Sequence, residues 1–422
     1  MKPATGRAVI AACAVLGVAA PNLVAQDLVV QGGEVRSVSG APIPDGVVIV
    51  RDGRISAVGP RGSVRVPAGV EVLDATGLVV TPGFIDAGTS IARSGRGGGR
   101  GGRGQLIRSP DFRVTDLLGE LRVPRAFGME AGETTAHPWV MDGVTTVYVT
   151  PPASSLVAGF GAVVKLTGAT LGETLAPAAA LHVTLGDQLR FTFDTPTTRQ
   201  GMVAALRQWL GTVRRAIDSG ATTIRLGRPF SEVAGAAEVV HSVTPELRAV
   251  LAGEVPVRFR AQTPEDVLSA VRVAEEFGLR AVIEGGSGAH MVAEALARAR
   301  VSVIVGPAMV GSGANRPETF ARTPENAALL SRAGVSVALS TEAASGRSVA
   351  MEVAVARGHG LSQDAALRAV TLDAARILGV EDRVGSLDEG KDADLVLWSN
   401  DPVGTWAEAR IVVVGGRVVF RR

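Results

Sequence analysis

Two carboxylates in this chain are candidates for acid–base chemistry. Glu284 and Glu342 each lie at the end of a predicted strand, and paired carboxylates at strand ends can act as general acid and general base without a metal. Residues 285–289 lie between a strand and a helix and approach the order of a nucleophile elbow without matching it. We interpret them as a glycine-rich loop, which could bind an anion at the helix N-terminus.

The histidines offer little for metal chemistry. No two of the five have the close spacing of a metal-binding pair, and no H-E-x-x-H helix is present. His290 follows the strand that ends at Glu284, so it either lines the mouth of a pocket or lies at a helix cap or on the surface. His182 lies within a strand and is predicted to be a core or pore residue. We interpret the other three as surface residues: His137, His241 and His359.

The elements that must position these residues alternate between strand and helix. About eight β-then-α units predict a parallel (β/α)8 TIM barrel, with a doubly wound open sheet as the alternative. The predicted strands are residues 145–149, 180–184, 222–226, 257–261, 281–284, 301–305 and 335–339.

One predicted helix has clear boundaries. Thr263 is its expected N-cap, and Pro264 occupies the first helical position. Asp266 is placed to form the reciprocal hydrogen bond of a capping box with Thr263, and Gly278 is the expected C-terminal cap. The other predicted helices span residues 201–217, 291–300, 325–332 and 363–378.

Both ends of the chain are rich in short β-type runs. Asp52 and Gly53 separate two apolar runs and predict a hairpin, because glycine accepts the positive φ of such turns. Gly415 and Gly416 predict a similar turn between strands near the C-terminus. Two β-rich ends around a different middle predict one small β-sandwich domain built from both termini.

Two motifs resemble those of a known family. Residues 79–86, Val-Val-Thr-Pro-Gly-Phe-Ile-Asp, resemble the entry strand of the amidohydrolase superfamily, and residues 383–396 resemble its return from barrel to β-sandwich. The match is to the imidazolonepropionase-like branch. This resemblance implies a barrel of the metallo-dependent hydrolase type, a catalytic metal held by histidines, and hydrolysis of non-peptide C–N bonds.

The metal-binding positions of that family are changed here. Gly88 and Ser90 stand where the family has the two histidines after its first-strand aspartate, and Arg260 and Gln262 stand where it has His-Ala-His. Strand alternation places the members of each pair on the same inner face. Gly285 replaces a further histidine.

These changes argue against the family's metal. A catalytic zinc-type site needs about three or four protein ligands, glycine offers none, and arginine is a permanent cation. Glu342, which corresponds to the family's last metal-facing aspartate, is the only carboxylate left among these positions. We therefore expect no bound metal or other cofactor, and we expect Arg260 to occupy the vacated cation space and pair with Glu342 or Glu284. Lys165 is expected to be structural rather than a carbamylated metal ligand.

The first residues indicate export. Lys2 and Arg7 precede an apolar run, which predicts a signal peptide cut near Ala25 and a periplasmic or secreted protein. The only cysteine, Cys13, lies in this leader, where a lipoprotein cleavage box is the alternative. The predicted parts are therefore a signal peptide, residues 1–25; a β-sandwich, residues 26–81 and 381–422; and a barrel, residues 82–380.

The overall charge balance gives no indication of a nucleic-acid partner. Lys2 and Arg7 account for the formal net charge of +2, so the remainder is balanced and carries no nucleic-acid footprint. After signal cleavage no membrane association is expected. Residues 93–105, almost wholly Gly and Arg, predict a flexible loop, with an anion or nucleic-acid contact as the alternative.

The functional hypothesis is an amidohydrolase-family protein that has lost metal-dependent catalysis. It would bind a small molecule, form a homo-oligomer, or pair with an active relative. The alternative is a metal-independent or unusually ligated hydrolase that uses Glu342 as its catalytic residue. The expected pocket-lining residues are Gly88, Ser90, Arg260, Gln262, Glu284, Gly285 and His290.

Overall fold

The computed structural model describes residues 27–90, 138–151, 153, 155–167, 171–190, 198–228, 230, 238–308, 317–342 and 349–422. The predicted leader, the Gly/Arg-rich segment and His137 lie outside these ranges. The strands are β1 Leu28–Val35, β2 Ile43–Arg51, β3 Arg54–Pro60, β4 Glu71–Asp74, β5 Val79–Pro82, β6 Phe84–Thr89, β7 Val144–Val149, β8 Val157–Leu166, β9 Leu171–Thr184, β10 Thr223–Leu226, β11 Val239–Ser242, β12 Val257–Ala261, β13 Ala281–Gly285, β14 Ser302–Val305, β15 Val337–Leu339, β16 Leu395–Trp398, β17 Ala409–Val414 and β18 Arg417–Arg421.

Helices connect the later strands. They are α1 Pro138–Met141, α2 Asp187–Arg190, α3 Arg199–Asp218, α4 Pro245–Leu251, α5 Pro264–Phe277, α6 Ala293–Ala299, α7 Asn326–Arg332, α8 Val349–Gly358, α9 Gln363–Ala369 and α10 Leu372–Leu378. Within the described ranges, none of them is both long and apolar enough to cross a bilayer.

One sheet joins the two ends of the chain. Its strand order is β18-β17-β16-β5-β1-β2-β3, with β4 added beside β1. The predicted hairpin is confirmed: β2 and β3 are antiparallel, and Asp52 and Gly53 between them have φ values of 50° and 76°. Gly415 and Gly416 turn β17 into β18 with φ values of 54° and 74°.

The second large sheet is the barrel. Its order is β6-β7-β8-β9-β12-β13-β14-β15, and all neighbours are parallel except β8, which is antiparallel to β7 and β9. The first and last strands meet where the amide of Glu342 donates to the carbonyl of Gly88 at 2.9 Å. The predicted barrel is confirmed: seven of its eight strands are parallel to one another, and β8 is the antiparallel one.

The prediction that residues 222–226 form a barrel strand is wrong. β10 pairs with β11 in a separate two-stranded antiparallel ribbon. Its side chains alternate between exposed and buried, whereas a barrel strand is buried on both faces. The exposed Thr223 and Arg225 therefore explain why this segment lies outside the barrel.

The predicted caps of α5 are confirmed. The Thr263 side chain accepts from the amide of Asp266, Pro264 begins the helix, and Gly278 ends it in the left-handed conformation at φ 65°. A single helix over residues 363–378 is wrong, because the chain forms α9 and α10. The carbonyl of Val370 accepts from Ile85 of β6 at 2.7 Å, so a barrel strand takes the acceptor that a continuous helix would use.

Lys165 links the barrel to the terminal sheet. It lies on β8, is almost fully buried, and its Nζ lies 2.9 Å from both Asp392 and Asp394. Burial alone would lower the pKa of Lys165, but the two carboxylates outweigh it and raise that pKa. The expected structural role of this lysine is confirmed.

Candidate functional site

Two arginines and two glutamates meet inside the carboxyl ends of the barrel strands. β12 supplies Arg258 and Arg260, β13 supplies Glu284, and Glu342 follows β15. We call these four residues the arginine–glutamate cluster. Active sites of (β/α)8 barrels lie at this end of the strands, so the cluster occupies the position where chemistry is expected.

Arg260 bridges both glutamates. Its Nη1 donates to Glu284 Oε1 at 2.8 Å and to Glu342 Oε1 at 3.0 Å, while its Nη2 donates to Glu342 Oε2 at 2.8 Å. Burial would lower the pKa of Arg260, but the two carboxylates outweigh it and raise that pKa. The predicted ion pairs of Arg260 are confirmed, and they form with both glutamates at once.

Arg258 was missed by the sequence analysis. Its Nε donates to Glu284 Oε2, its Nη2 donates to the carbonyl of Ala87 at 2.7 Å, and its guanidinium carbon lies 4.2 Å from the centre of the Tyr148 ring. Only 1% of the residue is exposed. Strand alternation gives positions 258 and 260 the same inner face, and this is the signal that would have found it.

Tyr148 and His182 form a hydrogen-bonded pair in the barrel interior beside the cluster. The hydroxyl of Tyr148 lies 2.7 Å from His182 Nε2, and His182 Nδ1 lies 3.7 Å from Glu284 Oε2. Burial lowers the pKa of His182 to about 3, with Arg258 contributing in the same direction, so the ring is neutral at physiological pH. The prediction that His182 is a core or pore histidine is confirmed.

Glu284 is held ionised. Burial alone would raise its pKa, but the charge of Arg258, with further contributions from Arg260, outweighs burial and holds the pKa at about 2. Glu284 is only 2% exposed, so a charged carboxylate lies in the interior and depends on its arginine partners.

Long side chains fill the space beside two of the altered positions. A Cβ added at Gly88 would lie 2.7 Å from Arg258 Nη2 and 3.3 Å from Ser340 Cβ. A Cβ added at Gly285 would clash with the amide of Gln262. A histidine at either position therefore cannot fit unless its neighbour moves.

The two polar replacements hold loops together. Ser90 Oγ donates to the carbonyl of Glu342 at 3.0 Å. Gln262 Oε1 accepts from the hydroxyl of Ser287 at 2.6 Å and from its amide at 3.2 Å. Their polar atoms are thus engaged in bonds between adjacent strand ends.

The remaining histidines differ from one another. His290 is partly exposed in a 3-10 turn, Ala289–Val292, and its Nδ1 is buried without a partner among the described residues. The surface prediction for His359 is confirmed. The surface prediction for His241 is wrong, because alternation along β11 turns that residue inward and leaves it only 7% exposed.

The donor set does not fit the family's metal. Within the described ranges, no group of three or more His, Cys, Asp or Glu residues could hold a metal ion. Arg258 and Arg260 instead bring two permanent positive charges to the strand ends, and each oxygen of Glu284 and Glu342 accepts from one of them. A divalent cation would have to displace these bonds against charge repulsion.

Asp86 is a buried carboxyl that fastens the barrel closure. Its Oδ1 accepts from the amides of Gly88 and Thr341, both at 3.1 Å, and its Oδ2 accepts from the Thr341 hydroxyl at 2.5 Å. Burial raises its pKa from 3.8 to about 6, with these hydrogen bonds opposing the shift. The folded protein therefore binds a proton at Asp86 more tightly than the unfolded chain does.

We expect Asp86→Asn to gain stability relative to the unchanged protein as pH rises. Between pH 4 and 6 the folded state holds more protons at this site, so the contribution of Asp86 to the free energy of unfolding falls with rising pH. The rise of the Asp86 pKa from 3.8 to about 6 corresponds to at most about 3 kcal/mol between pH 4 and pH 8. Urea unfolding of both proteins across this range measures it, and a pH-independent difference would contradict the assignment.

Known proteins resemble this chain along most of its length. The sequence pattern of the amidohydrolase family matches residues 286–419. An imidazolonepropionase of Acidiphilium cryptum (strain JF-5) is 29% identical over 385 residues, which cover 85% of this chain and 88% of the relative. A 5-methylthioadenosine/S-adenosylhomocysteine deaminase of Symbiobacterium thermophilum is 25% identical over 88% of this chain and 84% of its own. The crystal structure of an amidohydrolase from Thermotoga maritima MSB8 superposes with a TM-score of 0.77 at 26% identity, covering 94% of this chain and 100% of that one. The chain belongs to the amidohydrolase superfamily, in its imidazolonepropionase-like branch.

Proposed function

We propose that this protein is an amidohydrolase-family barrel that does not carry out metal-dependent hydrolysis and acts by binding. Its ligand is a small molecule at the barrel mouth or a second protein chain, either another copy of itself or an active relative. The arginine–glutamate cluster carries this proposal. It places guanidinium groups, and carboxylates already paired with them, where a catalytic metal would need unoccupied ligands.

The alternative is hydrolysis without a metal through Glu342. In its favour, the side chain of Glu342 is 18% exposed and its backbone has the unusual left-handed φ of 48°. Against it, both carboxylate oxygens accept from Arg260, and a carboxylate paired with a guanidinium is a weaker general base. The geometry therefore favours binding over catalysis.

We also propose that the protein acts after export, in the periplasm or outside the cell. This rests on the charged and apolar pattern of residues 1–25. N-terminal sequencing of protein recovered from a periplasmic fraction and from the medium tests it. Recovery of the uncleaved chain in the cytoplasm alone would contradict it.

The functional experiment combines metal content with activity. The purified protein is dialysed, its metal is measured by elemental analysis, and hydrolysis of imidazolonepropionate is assayed with and without added zinc. The imidazolonepropionase of Acidiphilium cryptum serves as the positive control. We expect substoichiometric metal and no turnover above the uncatalysed rate.

Two results would overturn the proposal in different ways. Near-stoichiometric metal together with hydrolysis would establish conventional catalysis through ligands outside the described residues. Hydrolysis that persists in a chelator and is lost in Glu342→Gln would establish the metal-independent alternative.

A further inference from the structure

We infer that Arg258 is a built-in cation whose guanidinium occupies a preformed cation site inside the barrel. The site consists of the Glu284 carboxylate, the Ala87 carbonyl and the face of the Tyr148 ring. It would accept a free guanidinium ion if the arginine were shortened. This inference goes beyond the proposed function and does not depend on what the protein binds.

The first argument is the chemistry of the three contacts. A carboxylate, a carbonyl oxygen and an aromatic face each favour a cation, and the first two bind N–H donors. They come from three strands, β13, β6 and β7, so the site is assembled by the barrel and not by the local sequence around Arg258. A planar guanidinium matches this combination better than a compact ammonium does.

The second argument is that the surroundings are fixed around the guanidinium. The Tyr148 hydroxyl bonds to His182. It also packs closely against Gly161, where an added Cβ would clash with the hydroxyl, so Tyr148 is held in place from two sides. Gly88 leaves open the space that Arg258 Nη2 fills. The glycine and the arginine are therefore complementary in shape.

The third argument separates Arg258 from Arg260. The side chain of Arg258 is 2% exposed, whereas that of Arg260 is 19% exposed. Arg258 therefore acts as the inner charge that neutralises Glu284 within the barrel, and Arg260 as the outer charge toward the mouth. Arg258 Nη1 has no partner among the described residues, and the residue lines a cavity of about 10 Å³, which is room for about one water.

Chemical rescue tests the inference. Arg258→Ala is expected to lower the melting temperature by roughly 5–10 °C, because Glu284 loses its inner cation. Guanidinium chloride up to about 50 mM, where its denaturing effect is slight, should raise the melting temperature of this variant in a saturable manner. Sodium chloride at equal ionic strength should not.

The matched control is Arg207→Ala, which removes an arginine from an exposed pair with Glu276. Its melting temperature should change little and should show no guanidinium-dependent rise. An equal response of the two variants to guanidinium, or an unchanged melting temperature in Arg258→Ala, would overturn the inference.

A second pair of variants covers the case in which Arg258→Ala does not fold. Arg258→Lys retains a cation, whereas Arg258→Gln retains hydrogen-bonding capacity without charge. We expect the lysine variant to have the higher melting temperature, and a glutamine variant that equals or exceeds it would show that the site does not require a cation.

Discussion

Glu284→Gln is expected to lower the free energy of unfolding by about 3–5 kcal/mol, the cost of removing one partner from a buried ion pair. Arg258 and Arg260 both donate to this carboxylate, and Arg258 is almost completely buried. The neutral amide keeps the shape of the side chain but leaves the inner arginine without its counter-charge. Urea unfolding at pH 7.5 measures the loss.

Two glutamates provide the comparison. Glu342→Gln leaves Arg260 its bond to Glu284 and affects a partly exposed carboxylate, so its loss should be smaller. Glu276→Gln removes an exposed pair with Arg207 and should cost about 1 kcal/mol or less. A loss at Glu284 no greater than that at Glu276 would contradict the assignment of a buried counter-charge.

The effect at Glu284 has a defined pH dependence. The folded pKa is depressed from 4.5 to about 2, so the stabilising contribution of this carboxylate is fully present above pH 4.5 and is lost as pH falls toward 2. The difference between the unchanged protein and Glu284→Gln should therefore shrink in that acidic window.

Lys165→Met is expected to have a comparable effect, about 3–5 kcal/mol, by removing the cation between two buried carboxylates. Asp392 keeps a bidentate partner in Arg383, with distances of 2.9 and 2.7 Å. Asp394 retains the amide of Gly415 at 2.7 Å and no other cation at hydrogen-bonding distance within the described ranges. The damage should therefore fall mainly on Asp394.

The pH dependence identifies Asp394 as the responsible group. Burial already raises its pKa, and the loss of Lys165 should raise it further. A carboxyl whose folded pKa is raised costs stability as pH increases, so the deficit of Lys165→Met should be larger at pH 8 than at pH 5. The matched control is Lys391→Met, since that lysine is more exposed and bonds to Ser386 at 2.5 Å. Equal deficits in the two lysine variants would contradict the proposed link between barrel and terminal sheet.

Local patterns allowed much of the fold to be predicted. The caps of α5, the hairpin at Asp52 and Gly53, and the glycine turn before β18 depend on residues adjacent in sequence. Such features follow from the backbone preferences of single residues and from hydrogen bonds spanning three or four positions. The barrel followed from the alternation of these elements.

Elements decided by distant contacts were predicted less well. The break between α9 and α10 depends on Ile85 of β6 taking the carbonyl of Val370. The placement of β10 depends on β11, with which it forms a ribbon away from the barrel. Helical periodicity and strand propensity contain no information about such partners.

The candidate site divides in the same way. The sequence by itself determined that glycine, serine, arginine and glutamine stand at positions where the family has histidines, and alternation placed Arg260 and Gln262 on the inner face. Only the tertiary structure decided that Arg258 reaches Glu284, the Ala87 carbonyl and the Tyr148 ring, and that Glu284 is held as a carboxylate. The physical reason is that desolvation and ion pairing depend on side chains from separate strands meeting in one interior, and strand order and register set those distances.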